Sequence, residues 1–187
     1  MKEFLITTAL KDTWNKGANI LFLGEWCRVY SNKRQFINLK SKVIPYHWDD
    51  RKKLYNDYVL ISKIYEKILV DLSKELNLFH KTNYETRYWR ILLGPWLGCF
   101  IQMVFDRWES INIVLKERNT IDTVILDYDF IKSIPYDMND FIQMYSNDEW
   151  NHHIYSLILK EHSNVNFIKK KTNNKFSFRK NKNDRNI

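Results

Sequence analysis

Four short stretches of the chain gather side chains that could bind or react. Gly24-Glu25-Trp26-Cys27-Arg28 closes the apolar run that begins at Asn19. A carboxylate can serve as a general base, so Glu25 could take a proton from a substrate hydroxyl or accept its hydrogen bonds. Trp26 offers a flat apolar face on which a sugar could stack. The same residues also suit a plain turn, with Trp26 in the core and Glu25 paired to Arg28. Pro45-Tyr46-His47-Trp48-Asp49-Asp50-Arg51 is the densest polar and aromatic cluster. Histidine is the side chain that changes charge near neutrality, so His47 is a candidate base. Asp49 supplies acceptors, and Arg51 can grip an anion. A helix starting here would add backbone donors that favour an anion. An aspartate cap, a charge pair and a buried Trp are the simpler reading of the same cluster.

Arg87-Tyr88-Trp89-Arg90 sets two arginines three residues apart, on one face of a helix. They could clamp phosphate or carboxylate, or pair with Glu85 and Asp106. Asp127-Tyr128-Asp129 has a form that can hold a divalent metal, but a chain this rich in Asp contains such a pair by chance. His152 and His153 are adjacent, so on a helix they point about 100° apart and make a poor metal pair. One of them reads as a hydrogen-bonded core or rim histidine. No Gly-rich phosphate loop, dinucleotide fingerprint, serine-nucleophile or zinc-protease motif is present. No metal or cofactor is expected.

The elements that must position these residues follow from the apolar pattern. Phe4–Thr8, Asn19–Gly24, Val43–Tyr46 and Thr123–Leu126 read as strands, the first two buried because their apolar runs are continuous. From Asp50, Leu54, Tyr58, Ile61, Tyr65, Ile68, Leu72, Leu76 and Phe79 recur at helical spacing, with Asp49 or Asp50 as the cap. Pro95 is expected to separate a short helix over 86–93 from a long one reaching about Glu117. A last helix spans 138–161, with a break near Ser146–Asp148 and Asp148 as the cap of its restart. Strands separated by helices make an α/β layer fold with a mainly parallel sheet. The first connection, about ten residues, is near the minimum for a parallel crossover.

The chain has 187 residues, 44% hydrophobic, 28% charged and 16% aromatic, which excludes a disordered or fibrous protein. Two cysteines make no disulfide framework, which reads as a reduced, cytoplasmic protein. No stretch is long and apolar enough to span a bilayer. The formal net charge of +8 is concentrated in residues 165–187, which carry +7 and leave +1 on the rest. This Asn- and Lys-rich end, 164–187, reads as a disordered tail. Contact with nucleic acid or an anionic membrane surface would have to come through it, since no nucleic-acid motif stands elsewhere.

Taken together, Phe4–Leu10, Leu21–Cys27, Pro45–Arg51 with Leu54-Tyr55, Arg87–Leu97 and Asp148–Ser156 resemble the transferase family of bacterial O-antigen and other surface-carbohydrate gene clusters. The resemblance covers about residues 3–162 and stops near Ser163. It implies glycosyl or related transfer in surface-polysaccharide synthesis. It also implies a Rossmann-like three-layer domain over 1–163, similar to the N-terminal, acceptor-side half of a two-domain glycosyltransferase. In that reading Glu25 and His47 are catalytic, and Trp26, Asp49, Arg51, Arg87 and Arg90 hold a sugar or anionic carbohydrate acceptor. The partner would be a separate C-terminal transferase half that holds the donor. The alternative is a non-catalytic interaction module left from such an enzyme.

Overall fold

The computed structural model describes residues 3–128 and 133–172. Among these residues five strands form one sheet: β1 (Glu3–Ile6), β2 (Asn19–Phe22), β3 (Ser41–Val43), β4 (Ile121–Asp127) and β5 (Val165–Lys171). The helices are α1 (Lys33–Phe36), α2 (Arg51–His80), α3 (Thr86–Lys116), α4 (Met138–Tyr145) and α5 (Asp148–Lys160). The strand order is β3-β2-β1-β4-β5, and every pairing is parallel. This is the expected α/β class, a Rossmann-like three-layer arrangement with a short parallel sheet and long helices. The order reverses between β1 and β4, which makes their carboxyl ends the switch point where open α/β sheets bind ligands.

The apolar runs explain the middle of the sheet. Phe4, Leu5, Ile6, Ile20, Leu21, Phe22, Val124, Ile125 and Leu126 are all buried, as strands covered on both faces must be. The connection from β1 to β2 stays parallel with no α-helix, using only a 3₁₀ turn at Lys11–Thr13. At the opposite edge, β5 pairs with β4 along seven positions, Ile121↔Val165 to Asp127↔Lys171. These residues fall within the segment expected to be a tail. Only Val165 of β5 is buried, so its Lys-rich sequence is that of an exposed edge strand. The remainder of the expected tail, 173–187, lies outside the described residues, as does Asp129.

The described residues divide into two compact units. Tyr46–Glu109 is a helical hairpin, and the residues on either side of it make the sheet unit. In the hairpin, Ile61 and Leu69 of α2 pack with Leu97 and Ile101 of α3, edged by Trp48, Tyr65 and Phe105. Asp50 caps α2 by accepting from the Lys52 and Lys53 amides. Pro95 does not divide α3, which runs unbroken from Thr86 to Lys116. The carbonyl that Pro95 cannot bond belongs to Ile91, and Ile91 is exposed, so water can satisfy it. The predicted last helix does break in two, but Asn147, not Asp148, caps the restart by accepting from the Glu149 and Trp150 amides.

Candidate functional site

In the sheet unit, β1 pairs with β4 only at Phe4↔Asp122 and Leu5↔Thr123, whereas β4 stays paired with β5 to its end. Past that point the His152 ring of α5 bridges the two strands. The Leu126 amide donates to Nε2 at 3.2 Å, and Nδ1 lies 3.1 Å from Thr7 Oγ1. An amide can only donate, so Nε2 accepts, the proton sits on Nδ1, and it points to Thr7. Burial, with a smaller contribution from His153, pushes the His152 pKa down to about 3. His152 is therefore a neutral brace of the switch point.

The turn after β1 is held from several sides. Trp26 Nε1 donates to the Thr7 carbonyl at 3.0 Å, and Asn32 Nδ2 donates to the Ala9 carbonyl. The Ala9 amide donates to Asp148 Oδ1. Burial lifts the Asp148 carboxyl above its ordinary range, the Ala9 amide opposes that, and Glu149 adds to it. Burial and the charges of Glu149 and Asp12 likewise raise the Tyr128 phenol. Thr8 Oγ1 is buried with no partner among the described residues. Glu149 and Asp12 thus give this edge an acidic character.

In the hairpin unit the Tyr46–Arg51 stretch separates into scaffold and site. Tyr46 Oη donates to Asp106 Oδ1 at 2.8 Å, and His47 Nε2 lies 3.0 Å from the same oxygen. Arg107 donates to Oδ2. Burial alone would raise the Asp106 carboxyl, but His47, Arg107 and Tyr46 together hold it below the usual carboxylate range. Burial beside Asp106 raises the Tyr46 phenol. Next to this group, Lys53 joins Asp57 and Glu109 at 2.9 Å each, and Trp48 Nε1 also donates to Asp57. His47 Nδ1 is buried and has no partner among the described residues. His47 with Asp106 is thus an imidazole fixed by a carboxylate at one nitrogen, with its other nitrogen left over.

The sequence-predicted residues fall in both units. Glu25 and Trp26 stand at the end of β2 in the sheet unit. Glu25 is exposed and paired with Arg28 at 3.2 Å. The Trp26 ring lies over Gly24, so close that a Cβ at Gly24 would meet its Cζ3 at 2.2 Å. His47, Asp49, Arg51, Arg87 and Arg90 belong to the hairpin unit. Asp49, Arg51 and Arg87 are exposed. Arg90 forms a two-pronged pair with Glu66, at 2.7 and 2.6 Å, and lies over Tyr65. The partner expected for Arg90, Glu85 or Asp106, is therefore replaced by Glu66. Sequence reasoning missed Asp106 as the partner of His47, and Thr7, Thr8 and Asp148 at the switch point. Two of these were within reach: Thr7-Thr8 directly follow a buried apolar strand.

Among the described residues, no helix is long and apolar enough to cross a membrane, and no group of three or more His, Cys, Asp or Glu could hold a metal ion. The chain matches the LIC12162 family transferases over residues 3–186 and belongs to that family. The match continues past Ser163, where the resemblance was expected to stop. Comparisons with curated proteins and with solved structures return no significant match.

Proposed function

We propose that the protein transfers a glycosyl or related group to a carbohydrate acceptor during bacterial surface-polysaccharide synthesis, on the cytoplasmic side, with His47 as general base. The observation that carries the catalytic assignment is the unpartnered, buried Nδ1 of an imidazole whose Nε2 is fixed on Asp106. His152, a structural brace, uses both nitrogens, and leaving a buried nitrogen unsatisfied costs about 1–3 kcal/mol. Asp106 holds the proton on Nε2 and leaves the lone pair on Nδ1. Nδ1 has no solvent access in this arrangement, so the side chains that cover it must move before it takes the proton of the acceptor hydroxyl. The acceptor oxygen bonds to the transferred group as the donor's leaving group departs with its electron pair. Arg51, exposed at the start of α2, is the cation left for an anionic acceptor.

The test is genetic and then kinetic. A strain lacking the gene should lose or shorten its surface polysaccharide, and the wild-type gene should restore it. Unchanged polysaccharide in the deletion strain removes the surface-carbohydrate reading. His47→Ala is expected to lower transfer by about 10²–10⁴-fold, the usual span for a general base. Full restoration by a folded His47→Ala protein removes the catalytic assignment and favours a non-catalytic interaction module.

A further inference from the structure

The hairpin turn joining α2 to α3 presents an apolar tip. Leu78 and Phe79 close α2, with 74% and 80% of their surfaces exposed. Ile91 and Leu92, both on the second turn of α3, are 69% and 56% exposed, and Tyr84 and Tyr88 are also exposed. Ring contacts connect the aromatic members: Phe79 to His80, His80 to Trp89, and Trp89 to both Tyr84 and Tyr88. Tyr84 and Tyr88 stack with centroids 4.1 Å apart.

The turn itself is tightly satisfied. Asn77 donates to the Tyr84 carbonyl at 2.8 Å and accepts from the Tyr84 amide, the Thr82 hydroxyl and Trp89 Nε1. The Lys81 and Thr82 amides bond back to α2. Internal pairing of this kind is what a backbone needs before it can enter hydrocarbon, where no water replaces a missing partner. Lys81 occupies the left-handed helix cap with φ 55, a place that ordinarily falls to Gly or Asn. This puts an exposed cation at the tip. Arg87 is a second exposed cation at the tip, against one acid, Glu85, within residues 81–89.

We infer that this tip is a docking surface for an anionic phospholipid bilayer. Leu78, Phe79, Ile91 and Leu92 supply the apolar contact with the acyl boundary, Tyr84 and Tyr88 the amphipathic contact with the headgroups, and Lys81 and Arg87 meet lipid phosphates. The attachment is peripheral, independent of the basic C-terminal segment and of the catalytic role of His47.

Cosedimentation with phosphatidylcholine vesicles, with and without phosphatidylglycerol, tests it on the full chain. Wild type should bind the vesicles containing phosphatidylglycerol and release partly at high salt. Phe79→Ser and Ile91→Ser should each lower the partition by about tenfold, with unchanged circular dichroism because both side chains are exposed. Lys81→Gln with Arg87→Gln should weaken binding only where phosphatidylglycerol is present. Wild type that stays in the supernatant overturns the inference. So does binding that the tip variants leave intact, which would move it to the basic end. Light scattering that shows a dimer dissociated by Ile91→Ser overturns it too, and assigns the face to a second copy of the chain.

Discussion

Gly24→Ala adds one methyl group, and its effect runs entirely through Trp26. The backbone at Gly24 is extended, with φ −174 and ψ 176, so alanine is conformationally allowed there. The cost is steric. The new Cβ would lie 2.2, 2.4 and 2.5 Å from Cζ3, Cη2 and Cε3 of Trp26. Restoring ordinary contact moves the indole by about 1 Å, and forced shifts of this kind cost about 1–3 kcal/mol. The same motion pulls Nε1 from the Thr7 carbonyl, 3.0 Å away, and losing that bond removes about 0.5–1.5 kcal/mol. The expected total is about 2–4 kcal/mol, or a melting temperature lowered by roughly 5–15 °C in a chain of this size. Thermal unfolding of wild type, Gly24→Ala, Trp26→Ala and the double variant gives the coupling directly. With Trp26 already truncated, the extra methyl has nothing to strike. It should then be neutral, or stabilise by about 0.4–1 kcal/mol through the unfolded chain. Additive losses, or a Gly24→Ala protein as stable as wild type, would refute the contact and free Trp26 to act as a stacking platform.

Two further predictions concern buried titratable groups. His152 binds a proton far more weakly folded, at about 3, than its ordinary value of 6.5. Its contribution is therefore intact above pH 6.5 and is lost progressively as pH falls from there toward 3, by about 1.4 kcal/mol per pH unit. His152→Gln should flatten that acid limb in urea titrations across this range, while lowering stability at pH 7 by about 1–3 kcal/mol through the Leu126 amide it leaves short; an unchanged limb would contradict the assigned brace. Burial pushes the Cys27 thiol up to about 12, and its Sγ lies 3.4 Å from the Ile6 carbonyl, whereas Cys99 is exposed. Because thiolate is the reactive form, iodoacetamide should modify Cys99 and spare Cys27 in the native protein, as read by peptide mass spectrometry. Early modification of Cys27 would show that the end of β1 opens.

The centre of the sheet was legible because burial on both faces demands continuous apolar sequence. Phe4-Leu5-Ile6 and Ile20-Leu21-Phe22 meet that demand and pair with one another. β5 was not legible for the converse reason. An edge strand with Asn166, Lys169, Lys170 and Lys171 needs no apolar run, and its charge resembles that of a solvated tail. α2 shows a similar limit. The apolar stripe predicts its length and its cap, but Tyr58, Ile68 and Phe79 of that stripe are exposed, while Asp57 and Ser73 are buried. Periodicity registers hydrophobicity. It cannot register that Lys53 and Trp48 satisfy Asp57, or that Ser73 donates to the Leu69 carbonyl.

The same limit governs the site. A histidine beside two aspartates drew attention to residues 45–51, yet the aspartate that matters to His47 stands 59 positions away on α3. Of the neighbours, Asp50 is consumed as a helix cap and Trp48 is tied to Asp57. Local composition can therefore mark a dense polar stretch, but not which of its members remain uncommitted after folding. The two buried histidines of known bonding show why that distinction separates structure from chemistry. His152 spends one nitrogen on each strand at the switch point and has no lone pair to offer. His47 spends one nitrogen on Asp106 and keeps the other. Asp106 is in turn held ionised by Arg107, so it can stabilise an imidazolium if His47 accepts a proton. Removing that charge by Asp106→Asn should therefore depress transfer even though both side chains remain in place, whereas a purely structural pair would register the change in stability alone.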